Sequence, residues 1–229
     1  MFDAIAARYD LLNHLLSAGI DRRWRRQAVA SLALQGGERV LDVCTGTADL
    51  ALAARDAQRA PARVVGIDFA EAMLRVAQHK LRRRRLVEAV ALVRGDATLL
   101  PVAARSVHTV TMGFGIRNIE DTAAACTELC RVLVPGGRLA VLEFSVPTLP
   151  LVRAVYLWYF RNVLPLVGRL VSRHDAAYGY LPASVGAFAP PGEFVKILQA
   201  SGFVDVAAVP LTFGIVSLYT ARRGGGIGG

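Results

Sequence analysis

Val40-Leu41-Asp42-Val43-Cys44-Thr45-Gly46-Thr47-Ala48-Asp49-Leu50-Ala51 passes from a short apolar strand through a tight turn into a helix-forming segment. Such a run opens a βαβ unit. Working outward, apolar runs at 39–43, 63–67, 89–93, 107–112 and 138–144 alternate with segments of helical period. That alternation predicts a doubly wound, mostly parallel α/β sheet. Pro135-Gly136-Gly137 is expected to end a helix over 120–133 before the next strand begins. Toward the C-terminus, Val204–Val209 and Phe213–Thr220 are joined through Pro210-Leu211-Thr212, which predicts an antiparallel hairpin at the end of the sheet. Phe2, Ile5, Tyr9, Leu12 and Leu16 recur at helical spacing and a second helical stretch starts near Asp21, so residues 1–33 read as two helices covering the core. The whole is one domain over 1–223, with a further segment inserted at 150–188 and a flexible glycine tail at 224–229.

Open α/β sheets bind ligands at the carboxyl ends of their strands. A dinucleotide site would need a glycine-rich turn there, and Gly46 is the only glycine between Gly37 and Gly66; no phosphate-binding G-x-x-x-x-G-K run exists either. A ligand with a ribose and no phosphates fits better. Val64-Val65-Gly66-Ile67-Asp68 ends the second strand in a carboxylate able to accept from both ribose hydroxyls, and Gly95-Asp96-Ala97 follows the third strand, where Asp96 could meet an adenine amino group. Asp42, Asp68 and Asp96 taken singly also suit the capping of the turns that follow them. Their recurrence at three successive strand ends, with Gly46 and Thr47 in the first turn, favours a nucleoside site.

The net charge of +9 is clustered in Arg22-Arg23-Trp24-Arg25-Arg26 and Arg82 to Arg85, which suits nucleic acid, anionic lipid or plain solvation. Mean hydropathy is +0.40, high enough to raise the question of a membrane span. The most apolar candidate, Leu151 to Val171, is interrupted by Arg153, Arg161, Arg169 and Pro165, so it reads as a basic amphipathic segment. The N-terminus lacks the pattern of an export signal, and the expected place is the cytoplasm; the amphipathic segment suits either peripheral contact with the inner face of the membrane or a plain packed helix. Cys44, Cys126 and Cys130 read as buried thiols. His14, His79, His108 and His174 are scattered without ligand spacing, so no metal is expected.

A wider set of motifs resembles the class I methyltransferase superfamily, and within it the ubiquinone and menaquinone biosynthesis C-methyltransferase family. They are Phe2-Asp3-x-Ile5-Ala6-x-x-Tyr9-Asp10-x-x-Asn13, Leu16-Ser17-x-Gly19 and Trp24-Arg25, then Phe114-Gly115-Ile116-Arg117-Asn118, Leu142-Glu143-Phe144-Ser145 and Tyr178-x-Tyr180-Leu181-Pro182-x-Ser184. The resemblance implies a seven-stranded Rossmann-like sheet. It also implies transfer of the methyl group of S-adenosylmethionine to a ring carbon of a prenylated quinol, most directly demethylmenaquinol, with the benzoquinol of ubiquinone biosynthesis as the alternative. Cofactor contacts would fall on Thr47, Asp68, Asp96, Ala97 and Gly113, beside Gly46 and Asp42. Ala48 stands where glycine is usual and Gly113 where serine is common, and both departures bear on cofactor affinity. Ala183 and Gly186 replace the Glu and Arg often seen on the acceptor side.

Carbon methylation needs an aligned, electron-rich ring carbon, hence a reduced quinol and a group that takes or stabilises charge from its hydroxyl. Arg117 and Asn118 are the first candidates, holding a water and steadying the phenolate. Tyr9, Tyr178 and Ser184 would orient the quinol oxygens, and Glu143 would cap or orient the cofactor loop. His174-Asp175 is a second candidate base pair, or a surface turn. The tyrosines and the Arg117-Asn118 turn also have ordinary readings as core and turn residues. A nucleic-acid methyltransferase is the first rival, but Gly113 to Asn118 is not the N-P-P-[YF] run of amino-directed enzymes, so no nucleic-acid partner is expected. A non-catalytic, methyltransferase-like scaffold is the second. Homodimerisation stays open.

Overall fold

A computed structural model describes Ser17, residues 19–163 and residues 183–225. The first predicted helix, Tyr9, His174-Asp175, Tyr178 and most of the glycine tail lie outside the described residues.

Seven strands form one sheet: β1 (Arg39–Val43), β2 (Arg63–Asp68), β3 (Val90–Arg94), β4 (Val107–Gly113), β5 (Leu133–Phe144), β6 (Phe203–Leu211) and β7 (Val216–Arg223), in the order β3-β2-β1-β4-β5-β7-β6. β1 to β5 pair in parallel, and β7 runs antiparallel to both β5 and β6. The predicted hairpin is therefore β6–β7, but it turns over residues 212–215 and not at Pro210-Leu211-Thr212, because Pro210 and Leu211 still pair with Ser217 and Val216. Pro210 is tolerated within β6 because that strand is the sheet's edge, where a missing N–H breaks no inner ladder.

Two layers of helix cover the sheet. On one face α1 (Asp21–Ser31), α2 (Asp49–Arg55) and α3 (Glu71–Arg83) bury Trp24, Ala28, Leu52, Ala77 and Leu81 against Val40, Val64 and Leu142. On the other, α4 (Thr122–Val132) and α6 (Pro191–Ala200) bury Cys126, Leu129, Phe194 and Leu198 against Val110, Val141 and Tyr219. Apolar residues at intervals of four, such as Met73, Ala77 and Leu81, explain which side of α3 turns inward. Asp121 starts α4 by accepting the Ala124 N–H at 2.8 Å. Cys126 and Cys130 are buried thiols, as expected, whereas Cys44, in the turn after β1, is only half-buried.

One expectation is corrected. Pro135-Gly136-Gly137 does not stand between helix and strand: α4 gives way to β5 at Leu133, and the Pro-Gly-Gly run lies inside β5 as an irregularity against β4. Gly136 has φ +74, and a Cβ at Gly137 would come within 2.8 Å of the Val134 carbonyl oxygen, so the glycines serve a bulge. Beyond β5, α5 (Pro150–Trp158) continues as a π-helical turn, Tyr159–Val163. It is the described part of the amphipathic segment, and none of the described helices is long and apolar enough to cross a membrane.

Candidate active site

The strand order reverses between β1 and β4, and that switch point is where the carboxyl ends of the strands part to leave a crevice. The turn after β1 alternates left-handed residues, with Cys44 at φ 53, Gly46 at φ 55 and Ala48 at φ 68. Two of these carry side chains, and each such residue costs about 1–2 kcal/mol. Strain of this kind collects where the surroundings hold a site in shape. β2 runs close beneath the turn: a Cβ at Gly66 would lie 2.8 Å from Thr45 Oγ1, and one at Gly115 would overlap Cys44.

Asp68 ties the turn to β2. One carboxylate oxygen accepts the Gly46 N–H at 2.8 Å and the other accepts the Ala70 N–H at 2.8 Å. Asp42 lies behind the turn rather than at its surface. It is buried, accepting from the Thr45 hydroxyl at 2.6 Å and the Thr111 hydroxyl at 2.7 Å. Burial raises its pKa to about 6, against the lowering by those two hydroxyls.

A folded-state pKa above the ordinary carboxylate value gives stability that is fully present below the unfolded pKa and lost as pH rises through about 6. Asp42→Asn, which stays neutral, is accordingly expected to raise the melting temperature more at pH 8 than at pH 4.5. Thermal unfolding at the two pH values checks this, and equal shifts would contradict it.

A cavity of about 550 Å³ opens at these strand ends. Gly46 and Asp68 line one side, Gly95, Asp96 and Ala97 a second, and Gly113, Phe114 and Asn118 a third. Phe69, Met73 and Ile67 supply apolar wall. Asp96 is exposed, and its Oδ1 accepts both the N–H and the hydroxyl of Thr98 at 2.8 Å, which lowers its pKa. At Gly113 a Cβ would meet Leu50 Cδ2 at 3.2 Å, so a larger residue needs only a small give from a leucine methyl.

Arg117 and Glu143 form a buried ion pair at 2.5 Å, with side chains 5% and 0% exposed. Arg117 also donates to the Phe114 carbonyl at 2.7 Å, has Nε 3.4 Å from Ser184 Oγ, and lies over the Phe144 ring. Its side chain thus turns away from the first cavity and lines a second, again of about 550 Å³, together with Ser184 and Phe188. Ile119 and Glu120 line both cavities. Asn118 faces the first, and its Nδ2 lies 3.4 Å from the Phe114 carbonyl oxygen.

Thr47 is buried and is not part of the cavity wall; its hydroxyl accepts from Lys80 Nζ at 3.0 Å. Lys80 bonds Asp49 at 2.6 Å, Asp49 lies 3.7 Å from Arg25, and Arg25 pairs with Asp21. This chain of charges braces the turn after β1 and α2 against α1 and α3. Sequence reading passed over Lys80 and Asp49, whose partners are distant in the chain; the signal was only an acid at the first helical turn and a lone lysine among arginines. Lys80→Met is expected to weaken S-adenosylmethionine binding about 3- to 10-fold, the worth of a lost hydrogen bond or two at the turn. Calorimetric titration would show it, and unchanged affinity would remove Lys80 from the account.

A family model described as the ubiE/COQ5 methyltransferase family matches residues 1–223. The chain belongs to the ubiE/COQ5 methyltransferase family. Membership makes it an S-adenosylmethionine-dependent C-methyltransferase. It is 49% identical over 223 residues to a ubiquinone/menaquinone biosynthesis C-methyltransferase from Syntrophotalea carbinolica, covering 97% of this chain and 92% of that one. A demethylmenaquinone methyltransferase from Thermus thermophilus is 46% identical, over 97% of this methyltransferase and 100% of the relative. Among solved structures, a putative S-adenosyl-L-methionine-dependent methyltransferase from Methanococcus maripaludis aligns with TM-score 0.70 at 15% identity, over 98% and 94% of the two chains. At that identity the match speaks for the fold.

Proposed function

We propose that this methyltransferase methylates a ring carbon of a prenylated quinol, demethylmenaquinol in the first place and the benzoquinol counterpart in the second. The observation that carries the reading is the pair of cavities meeting at Ile119 and Glu120, one framed by strand-end groups suited to a nucleoside, the other carrying a buried arginine. The names of the relatives, demethylmenaquinone methyltransferase and ubiquinone/menaquinone biosynthesis C-methyltransferase, point the same way.

The residues of the first cavity fit S-adenosylmethionine. Asp68 brings a carboxylate to the cavity wall for the ribose hydroxyls, Asp96 and Ala97 stand on the adenine side, and Phe69 and Met73 offer apolar surface to the base. Gly46 and Gly113 let the backbone approach closely. When bound, S-adenosylmethionine supplies an electrophilic methyl group on a positively charged sulfur.

The acceptor in this account is the reduced ring, whose ionised hydroxyl puts electron density on the neighbouring carbon. That carbon gains the methyl and releases its hydrogen as a proton. Arg117 stabilises the phenolate electrostatically, since its own proton is held too tightly to be exchanged. Ser184, 3.4 Å from Arg117 Nε, orients the quinol oxygen, and Asn118 holds a water at the cavity junction. Tyr9 and Tyr178 remain proposed acceptor contacts.

A prenyl tail keeps such an acceptor in a bilayer, so the reading includes contact with the membrane surface. α5 supports it, because Leu151, Val155 and Trp158 follow one helical stripe and are all exposed. Incubation with labelled S-adenosylmethionine and each reduced acceptor in liposomes tests the proposal. Faster labelling of demethylmenaquinol is expected; preference for the benzoquinol would reverse the order, and labelling of neither would refute the reading.

A further inference from the structure

A third cavity, sharing no lining residue with the other two, lies in the groove where α1 crosses α2, with a volume of about 880 Å³. Its floor is apolar, made by Val29, Ala33, Leu34, Leu52, Ala53 and Ala57. Its rims are arginines: Arg22 and Arg26 one turn apart on α1, Arg59 beyond α2, and Arg84 at the end of α3.

The two carboxylates in the groove are already matched. Asp56 accepts two bonds from Arg84 at 3.0 Å, and Asp49 is held by Lys80 and Arg25. Arg59 donates only to the neutral Gln35 side-chain oxygen at 2.9 Å. Arg22 and Arg26 are exposed and have no carboxylate partner among the described residues. Two free guanidinium groups one helical turn apart, above an apolar floor, present fork-like donors to an anionic head with hydrocarbon beneath it.

We propose that this groove is a binding site for an acidic phospholipid, its phosphate held by Arg22 and Arg26 and the upper methylenes of its chain lying on the alanine and leucine floor. The inference rests on the reading of a bilayer-held acceptor only for its purpose, which is to hold the enzyme where its quinol is. Nucleic acid would bring the same phosphates, but single strands bind through bases stacked on aromatic rings, and among the described residues no aromatic side chain lines the groove. A free phosphate would leave the floor unused.

The test is sedimentation of the full chain with vesicles of phosphatidylglycerol and phosphatidylcholine, against vesicles of phosphatidylcholine alone and against inorganic phosphate. Arg22→Gln/Arg26→Gln is compared with Arg82→Gln/Arg83→Gln, which removes two exposed arginines outside the groove. The expected result is binding to the acidic vesicles that inorganic phosphate at millimolar level does not displace. It should weaken about 30-fold in the groove variant, at roughly 5-fold per arginine at an anionic surface, and by less in the control. Equal losses in both variants would mean diffuse attraction and overturn the site, as would displacement by inorganic phosphate or tighter binding of single-stranded RNA than of vesicles. Methyl transfer to a short-chain quinol in detergent separates this inference from the proposed reaction: the groove variant should retain it, and a parallel loss would also overturn the site.

Discussion

Asp68→Ala is expected to raise the dissociation constant for S-adenosylmethionine by about 100- to 10,000-fold. The carboxylate has two tasks. It pins the strained turn through Gly46 and starts the segment after β2 through Ala70, each at 2.8 Å. In the proposed complex the carboxylate accepts from the ribose hydroxyls, and hydrogen bonds to a charged group are worth about 1.5–3 kcal/mol each. Two lost together give the stated range, since 1.4 kcal/mol is a factor of ten. Calorimetric titration measures it directly, with circular dichroism to show that the chain is folded. A loss under tenfold would mean that the nucleoside is held by the cavity walls and not by this carboxylate. Asp68→Asn is the sharper comparison, because it keeps the size and one acceptor while removing the charge.

Glu143→Ala is expected to destabilise the protein by about 3–5 kcal/mol. Arg117 would then be a buried cation whose remaining contacts are the Phe114 carbonyl, Ser184 and the Phe144 ring. Breaking a buried pair from one side costs that much because the surviving charge stays desolvated. Removing both charges in Arg117→Met/Glu143→Gln should recover a large part of the stability. Urea unfolding of the two variants decides the matter, and a double variant as unstable as Glu143→Ala would show that the pair's packing, not its charge, matters. The double variant should stay inactive, since the proposed stabiliser of the phenolate is gone.

The alternating strands and helices were legible because the buried strands are apolar runs set between segments of helical period, with Asp68 at the carboxyl end of β2 and Asp96 just past that of β3. Those ends are where ligands meet an open sheet, so Asp68 and Asp96 could be placed at a site before any geometry was known. Asp42 and Thr47 were less transparent. A strand-end aspartate reads alike whether it faces the crevice or lies behind the turn, and only the hydroxyls of Thr45 and Thr111, the latter far along the chain, decide between them. Pro135-Gly136-Gly137 misled for a related reason, since the same residues that stop a helix also make a bulge inside a strand.

Long-range polar partners were the least legible. Nothing near Arg117 in sequence announces Glu143, and the family-like motif that contains each was read for chemistry rather than for the bond between them. Lys80 reaches Thr47 and Asp49 across more than thirty residues, so its bracing role belongs to packing alone. Ala48 was legible as a departure, and its left-handed φ gives the physical meaning: a position that suits glycine is held by alanine at the cost of local strain.

The most direct test of the central claim is the time course of labelled methyl transfer from S-adenosylmethionine to demethylmenaquinone in liposomes, with the acceptor held either reduced or oxidised. The account predicts labelled menaquinol from the reduced acceptor and none above background from the oxidised one. Equal labelling of both, or none in either despite bound S-adenosylmethionine, would contradict it.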